Sequence, residues 1–83
     1  MYPLNNQIDE DFSFDYRLNY VLFILGMSMQ ELQNITGIQQ SSISRFCSGR
    51  SLPNYLSLQK ICFALKCNAD FLLGTSDCLS FRQ

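Results

Sequence analysis

The sequence predicts an all-α fold, five short helices gathered around one small core. Two observations lead there. Apolar residues recur at i, i+3, i+4 spacing in successive segments, the period of a helix with one buried face. Each segment is also punctuated by a glycine behind it or a serine or asparagine ahead of it, residues that close and open helices. At 83 residues the chain has length for one domain.

Residues 1–14, MYPLNNQIDEDFSF, show no sustained period and carry a proline and three adjacent acids. They are expected to form an acidic N-terminal arm, ordered in part through Leu4, Ile8, Phe12 and Phe14. The helical domain is expected over residues 15–77 and a C-terminal tail over 78–83. The first helix, DYRLNYVLFILG, ends at Gly26, with Leu18, Val21, Leu22 and Leu25 as its core stripe. Tyr16, Tyr20, Phe23 and Ile24 form a second stripe opposite, and a helix apolar all round is normally buried all round.

The second helix starts behind Ser28, with Glu31 completing a capping box, and stops at Gly37. Its Met29, Leu32, Ile35 and Thr36 share one side. Only Gly37-Ile38-Gln39 separates it from the third helix, so the connection must be a tight turn. In the third helix Ile43, Phe46 and Cys47 cluster on one side and Gln40, Ser41, Ser44, Arg45 and Ser48 on the other. After Gly49 and the loop RSLPN, Asn54 caps a fourth helix, YLSLQKICFAL, whose core stripe is Leu58, Ile61, Cys62 and Leu65; Leu56 and Phe63 lie off it. Asn68 is expected to cap a last helix, ADFLL, closed by Gly74.

Apolar residues make up 47% of the chain and charged residues 16%, enough to form a core and unlike a disordered chain. No apolar run approaches the roughly 18 residues of a membrane span, and the acidic start lacks the basic region of a signal peptide. A cytoplasmic location without membrane contact is expected. Cys47, Cys62, Cys67 and Cys78 come without histidine or a C-x-x-C pair, so they are expected to be reduced, apolar-like side chains rather than metal ligands. With no histidine, no glycine-rich phosphate loop and no paired carboxylates outside the arm, nothing assembles an acid, a base and a nucleophile. Neither an enzyme nor a cofactor is expected.

Net charge is −1, but Asp9, Glu10, Asp11 and Asp15 hold four of the seven acidic charges, while all six basic residues lie at Arg17 or beyond. The helical part is therefore mildly basic behind an acidic leader.

The ordered signals in RLNYVLFILGMSMQELQNITGIQQSSISRFCSGRSLPNYLSLQKICFALKCNADFLLGTSD resemble the lambda-repressor-like helix-turn-helix family, the repressors and Cro-type proteins of phages and many bacterial regulators. The markers are Leu25, Gly26 and Ser28; Glu31 and Leu32; Gly37; the QSSISR helix; Gly49, Arg50 and Pro53; and the closing DFLLG. The resemblance implies a compact five-helix DNA-binding domain with the helix-turn-helix at helices 2 and 3, the third helix entering the major groove. Carried over, Gln40, Ser41, Ser44 and Arg45 are base readers, and Ser28, Gln30, Gln39, Arg50 and Asn54 meet phosphate. Free amides at the starts of the second and fourth helices add grip without formal charge.

The chain departs from the family pattern in four respects. Met29 stands where relatives usually have a phosphate-contacting glutamine, and Gln33 replaces a small residue that lets the two helices pack closely. Leu22 and Cys47 replace an arginine–glutamate pair together, leaving no lone buried charge. The first helix carries Tyr20, Phe23 and Ile24 where relatives show charges, a patch that marks an interface unless Phe12 and Phe14 of the arm cover it.

Two functions follow as expectations. One is a sequence-specific transcriptional regulator, repressor or Cro-like, that binds double-stranded DNA as a homodimer on a near-palindromic operator, its dimer contacts drawn from helix 1, Leu56, Phe63, Leu79 or Phe81. The other is a protein-binding module, antirepressor or antitoxin-like, that uses the apolar face of helix 1.

Overall fold

The computed structural model describes residues 13–76 and 78–81; the acidic leader with Leu4, Ile8 and Phe12 lies outside them. The helices are α1 (Phe14–Leu25), α2 (Met29–Thr36), α3 (Gln40–Ser48), α4 (Tyr55–Leu65) and α5 (Ala69–Leu73). Helix α1 packs against α3, α4 and α5, and α2 against α3 and α4. The seam holds Leu18, Val21, Leu32, Ile43, Ile61, Leu65 and Leu72, all fully buried. One buried side chain of this size contributes about 1.5–3 kcal/mol, and Leu18 with Val21 on α1 and Ile61 with Leu65 on α4 keep the i, i+3 and i, i+4 spacings seen in the sequence.

Several expectations about α1 need correction. The helix begins at Phe14 rather than Asp15, and Phe14 joins the core. It is therefore not available to cover Tyr20, Phe23 and Ile24. Leu25, expected on the core stripe, is 40% exposed, because Gly26 turns the chain away in a left-handed conformation at the last turn. The second stripe is not buried: Tyr16, Tyr20 and Ile24 are half exposed and Phe23 is 83% exposed, since α5 reaches only its edge, at Tyr20.

Conversely, Arg17 is only 4% exposed. Its Nη1 donates to Phe71 O at 3.0 Å and to Ser76 O at 2.8 Å, and its guanidinium lies 4.4 Å from the centre of the Phe71 ring. A cation over an aromatic face, bonded to carbonyls around the end of α5, is a favourable way to bury an arginine. Tyr20 packs its ring against the same Phe71 at 6.0 Å.

The fourth and fifth helices meet differently from expectation. Lys66 takes the left-handed position that ends α4, and Asn68 precedes α5 without capping it. Its side chain instead holds the tail: Asn68 Nδ2 donates to Cys78 O at 3.1 Å and Asn68 Oδ1 accepts from Ser80 N at 2.9 Å. An antiparallel bridge pairs Cys67 with Phe81, so residues 78–81 lie along the α4–α5 junction.

Candidate nucleic-acid interface

The turn between α2 and α3 is tied to α2 through its amides. Gly37, at positive φ, donates its N–H to Gln33 O at 2.8 Å. Thr36 Oγ1 donates to Leu32 O at 2.7 Å and accepts from Ile38 N at 3.1 Å. Gln40 N, the first amide of α3, donates to the side-chain Oε1 of Gln33 at 2.6 Å. Helix termini expose amides that must find acceptors; here one residue of α2 serves both sides of the turn. The length of Gln33 thus bridges the two helices. Its side chain reaches across and bonds.

Helix α3 buries Ile43, Phe46 and Cys47 and turns Gln40, Ser41, Ser44, Arg45 and Ser48 to solvent. The expected readers thus share one accessible face. The far end is fastened to α1, where Asn19 Nδ2 donates to Cys47 O at 2.8 Å and to Asp15 O at 2.8 Å. Gly49 closes α3 at φ +79°, and a Cβ there would meet Asp15 Oδ2 at 2.9 Å. Arg45 O then accepts from Arg50 N at 2.9 Å, which places exposed Arg50 directly after the exposed face of α3.

The expected phosphate positions fare unevenly. In α2 the capping box is complete: Glu31 N donates to Ser28 Oγ at 3.1 Å and Ser28 N to Glu31 Oε1 at 2.9 Å. In α4, Ser57 N donates to Asn54 Oδ1 at 2.8 Å. The amides beside Ser28 and Asn54 are therefore partly engaged already. Those left without an intrahelical acceptor are Met29 and Gln30 in α2 and Tyr55 and Leu56 in α4. The Glu31 carboxylate also places negative charge at the start of α2. Gln30 is exposed but bonds Asn34 Oδ1 at 3.1 Å, and Gln39 is the exposed residue ahead of α3.

Met29 packs partly buried against the core, and Leu22 and Cys47 belong to the core itself. Burial, and secondarily the nearby Asp15, push the Cys47 thiol up to about 11, so it stays protonated near neutrality. The expected interface residues fall in two places. Tyr20 and Phe23 line a groove of about 390 Å³ on α1 with Ser13, Asp15, Tyr16 and Asn19, and Ile24 is exposed on the same helix. Phe63 and Phe81 line another, of about 430 Å³, between α4 and the tail. Leu56 is exposed outside that groove, and Leu79 is partly buried against the core.

Three contributors escaped the sequence reading: Arg17, Asn19 and Gln33 as a cap. A signal existed for the last. Gln39 precedes α3 where serine, threonine, aspartate or asparagine would cap, so the acceptor had to come from elsewhere.

Two helices joined by a three-residue turn, the second buried on one side and polar and open on the other, define a helix-turn-helix domain. Residues 17–77 match the family described as Cro/C1-type HTH DNA-binding domain, and the chain belongs to that family. It is also similar to the HTH-type transcriptional regulators for conjugative element R391 of Providencia rettgeri, SXT of Vibrio cholerae and pMERPH of Shewanella putrefaciens. Each is 43% identical over 56 residues, 68% of this chain and 26% of the relative. The chain spans about a quarter of the length of these curated relatives. No helix among the described residues is long and apolar enough to cross a membrane.

Proposed function

We propose that this DNA-binding domain acts in a transcriptional regulator, repressor or Cro-like, that reads a near-palindromic operator as a homodimer. The observation that carries it is the open polar face of α3, held at one end by Gln33 and at the other by Asn19. Gln40 is suited to a bidentate pair with adenine, Arg45 to guanine or phosphate, and Ser41 and Ser44 to either class of acceptor. Arg50 and the amides at the starts of α2 and α4 supply backbone grip, with Ser28, Gln30, Gln39 and Asn54 around them. Two copies present their α3 helices about 34 Å apart, one turn of DNA.

Selection of bound sequences from a random duplex pool, with the oligomeric state of the same sample measured, tests this reading. An enriched palindrome is expected. Gln40→Ala should lose about 1–3 kcal/mol of discrimination at one base step, and Arg50→Ala should weaken all sequences alike and reduce the salt slope by about 0.9. Absence of duplex binding at about 50 mM salt overturns it, since nonspecific contact persists there.

A second reading, a protein-binding module, is favoured by one observation, the 83% exposure of Phe23 beside Tyr20 and Ile24. Capture of a partner that Phe23→Ser abolishes, without DNA binding, would support it.

A further inference from the structure

We infer that Gln33 is a positioning residue for base recognition, acting through Gln40; the inference rests on the reading that α3 enters the major groove. Gln33 lies on α2, yet its carboxamide oxygen accepts the first amide of α3 at 2.6 Å. An N–H requires an acceptor, which fixes the orientation of the carboxamide as Oε1 toward Gln40. The bond is short, and it is made by the backbone of the very residue whose side chain is placed to read a base.

Nothing local replaces it. Helix α2 is capped by Ser28 and α4 by Asn54, whereas α3 begins behind Gln39 with no side-chain cap of its own. Ser42 N and Ile43 N reach Gln39 O, which leaves Gln40 N to Gln33. The same residue's backbone oxygen accepts Gly37 N. Gln33 therefore holds the last turn of α2 and the first turn of α3 together, and the angle between them sets where the Cα of Gln40 stands relative to a base edge. Direct readout by a bidentate amide tolerates little displacement, because two hydrogen bonds must align at once. Loss of the acceptor frees the first turn of α3, and discrimination suffers before folding does.

The experiment compares wild type, Gln33→Met and Gln33→Glu on the selected operator and on a duplex changed at the base that Gln40 reads. Methionine keeps length and removes the acceptor; glutamate keeps the acceptor and adds a charge that repels phosphate. Gln33→Met is expected to reduce the operator-to-variant affinity ratio about fivefold or more, the order of one hydrogen bond, and to speed amide exchange at Gln40. Gln33→Glu is expected to restore the ratio while lowering affinity for both duplexes. A merely structural role would move both duplexes together in both variants. An unchanged ratio in Gln33→Met, or a ratio that Gln33→Glu fails to restore, overturns the inference while the DNA-binding reading stands. If wild type binds no duplex, both are overturned.

Discussion

Helices α1 and α3 lie against one another and divide their surfaces differently. Helix α3 buries Ile43, Phe46 and Cys47 and shows polar side chains to solvent. Helix α1 buries Arg17 beside Phe14, Leu18, Val21 and Leu22, yet shows Tyr16, Tyr20, Phe23 and Ile24. Hydropathy alone sorts α3 correctly, and in α1 finds Leu18, Val21 and Leu22 but misplaces Arg17 and the second stripe. The difference lies in what surrounds each: α3 has a covered side and an open one, and its sequence matches both. In α1 the Arg17 position falls against the end of α5, where two carbonyls and the Phe71 ring accept a cation. On the aromatic side only Tyr20, among the described residues, meets another helix, through the Phe71 ring, while Phe23 stands 83% exposed. The surface of α3 is explained within the domain, whereas the described helices leave most of the apolar side of α1 open.

If that contrast is right, the buried arginine of α1 is a structural residue. Arg17→Ala should remove roughly 2–4 kcal/mol of stability, from two charge-assisted hydrogen bonds and the ring contact, measured by urea unfolding. A loss under about 1 kcal/mol would mean that solvent already satisfies the guanidinium and that its burial is incidental.

The buried side of α3 can be probed by pH. The Cys47 thiol is raised from 9.0 to about 11. Below pH 9 both folded and unfolded chains keep it protonated, and stability is intact. Between about 9 and 11 the unfolded chain releases the proton first, so stability falls as pH rises, by on the order of 2 kcal/mol in all. Cys47→Ser should flatten that part of the unfolding profile; an unchanged slope would assign it to other groups.

The joint between the two helices tests smaller effects. Gly49→Ala places a side chain at φ +79° and a methyl 2.9 Å from Asp15 Oδ2. The carboxylate end can swing aside, so backbone strain dominates and the expected cost is about 1–2 kcal/mol. The double change with Asp15→Ala should recover only a small part of it. Full recovery would show that the clash, not the left-handed backbone, decides.

How much of this was legible follows the same division. Five helices, the α2 capping box and the polar face of α3 were readable, because Ser28, Glu31, Gly37 and Ile43 act through spacing within one segment. Arg17 was not, since the carbonyls that hold it lie at Phe71 and Ser76, and no local period announces a partner so far along the chain. Asn68 looked like a cap because asparagine before a helix usually is one. The returning tail offered its side chain a donor and an acceptor at once, and those bonds won. Gln33 looked like an obstacle because its size was visible while its hydrogen bond to Gln40 was not. As for the site, the exposure of the expected readers was legible from the wheel, but the means of holding Gln40 was not.

The smallest expected effect on stability is also the sharpest test of α1. Phe23 is 83% exposed, so Phe23→Ser removes little buried area and should change unfolding stability by under about 0.5 kcal/mol. A phenyl ring buried by a partner, in contrast, contributes about 1.5–3 kcal/mol, enough to shift an association equilibrium by tenfold or more. Sedimentation of Phe23→Ser beside Phe63→Ser separates the two apolar surfaces: dissociation by the first assigns a second copy to α1, and by the second to the groove between α4 and the tail. A stability loss above about 1 kcal/mol in Phe23→Ser would show that the ring is packed within its own chain, and the contrast between the two helices would then disappear.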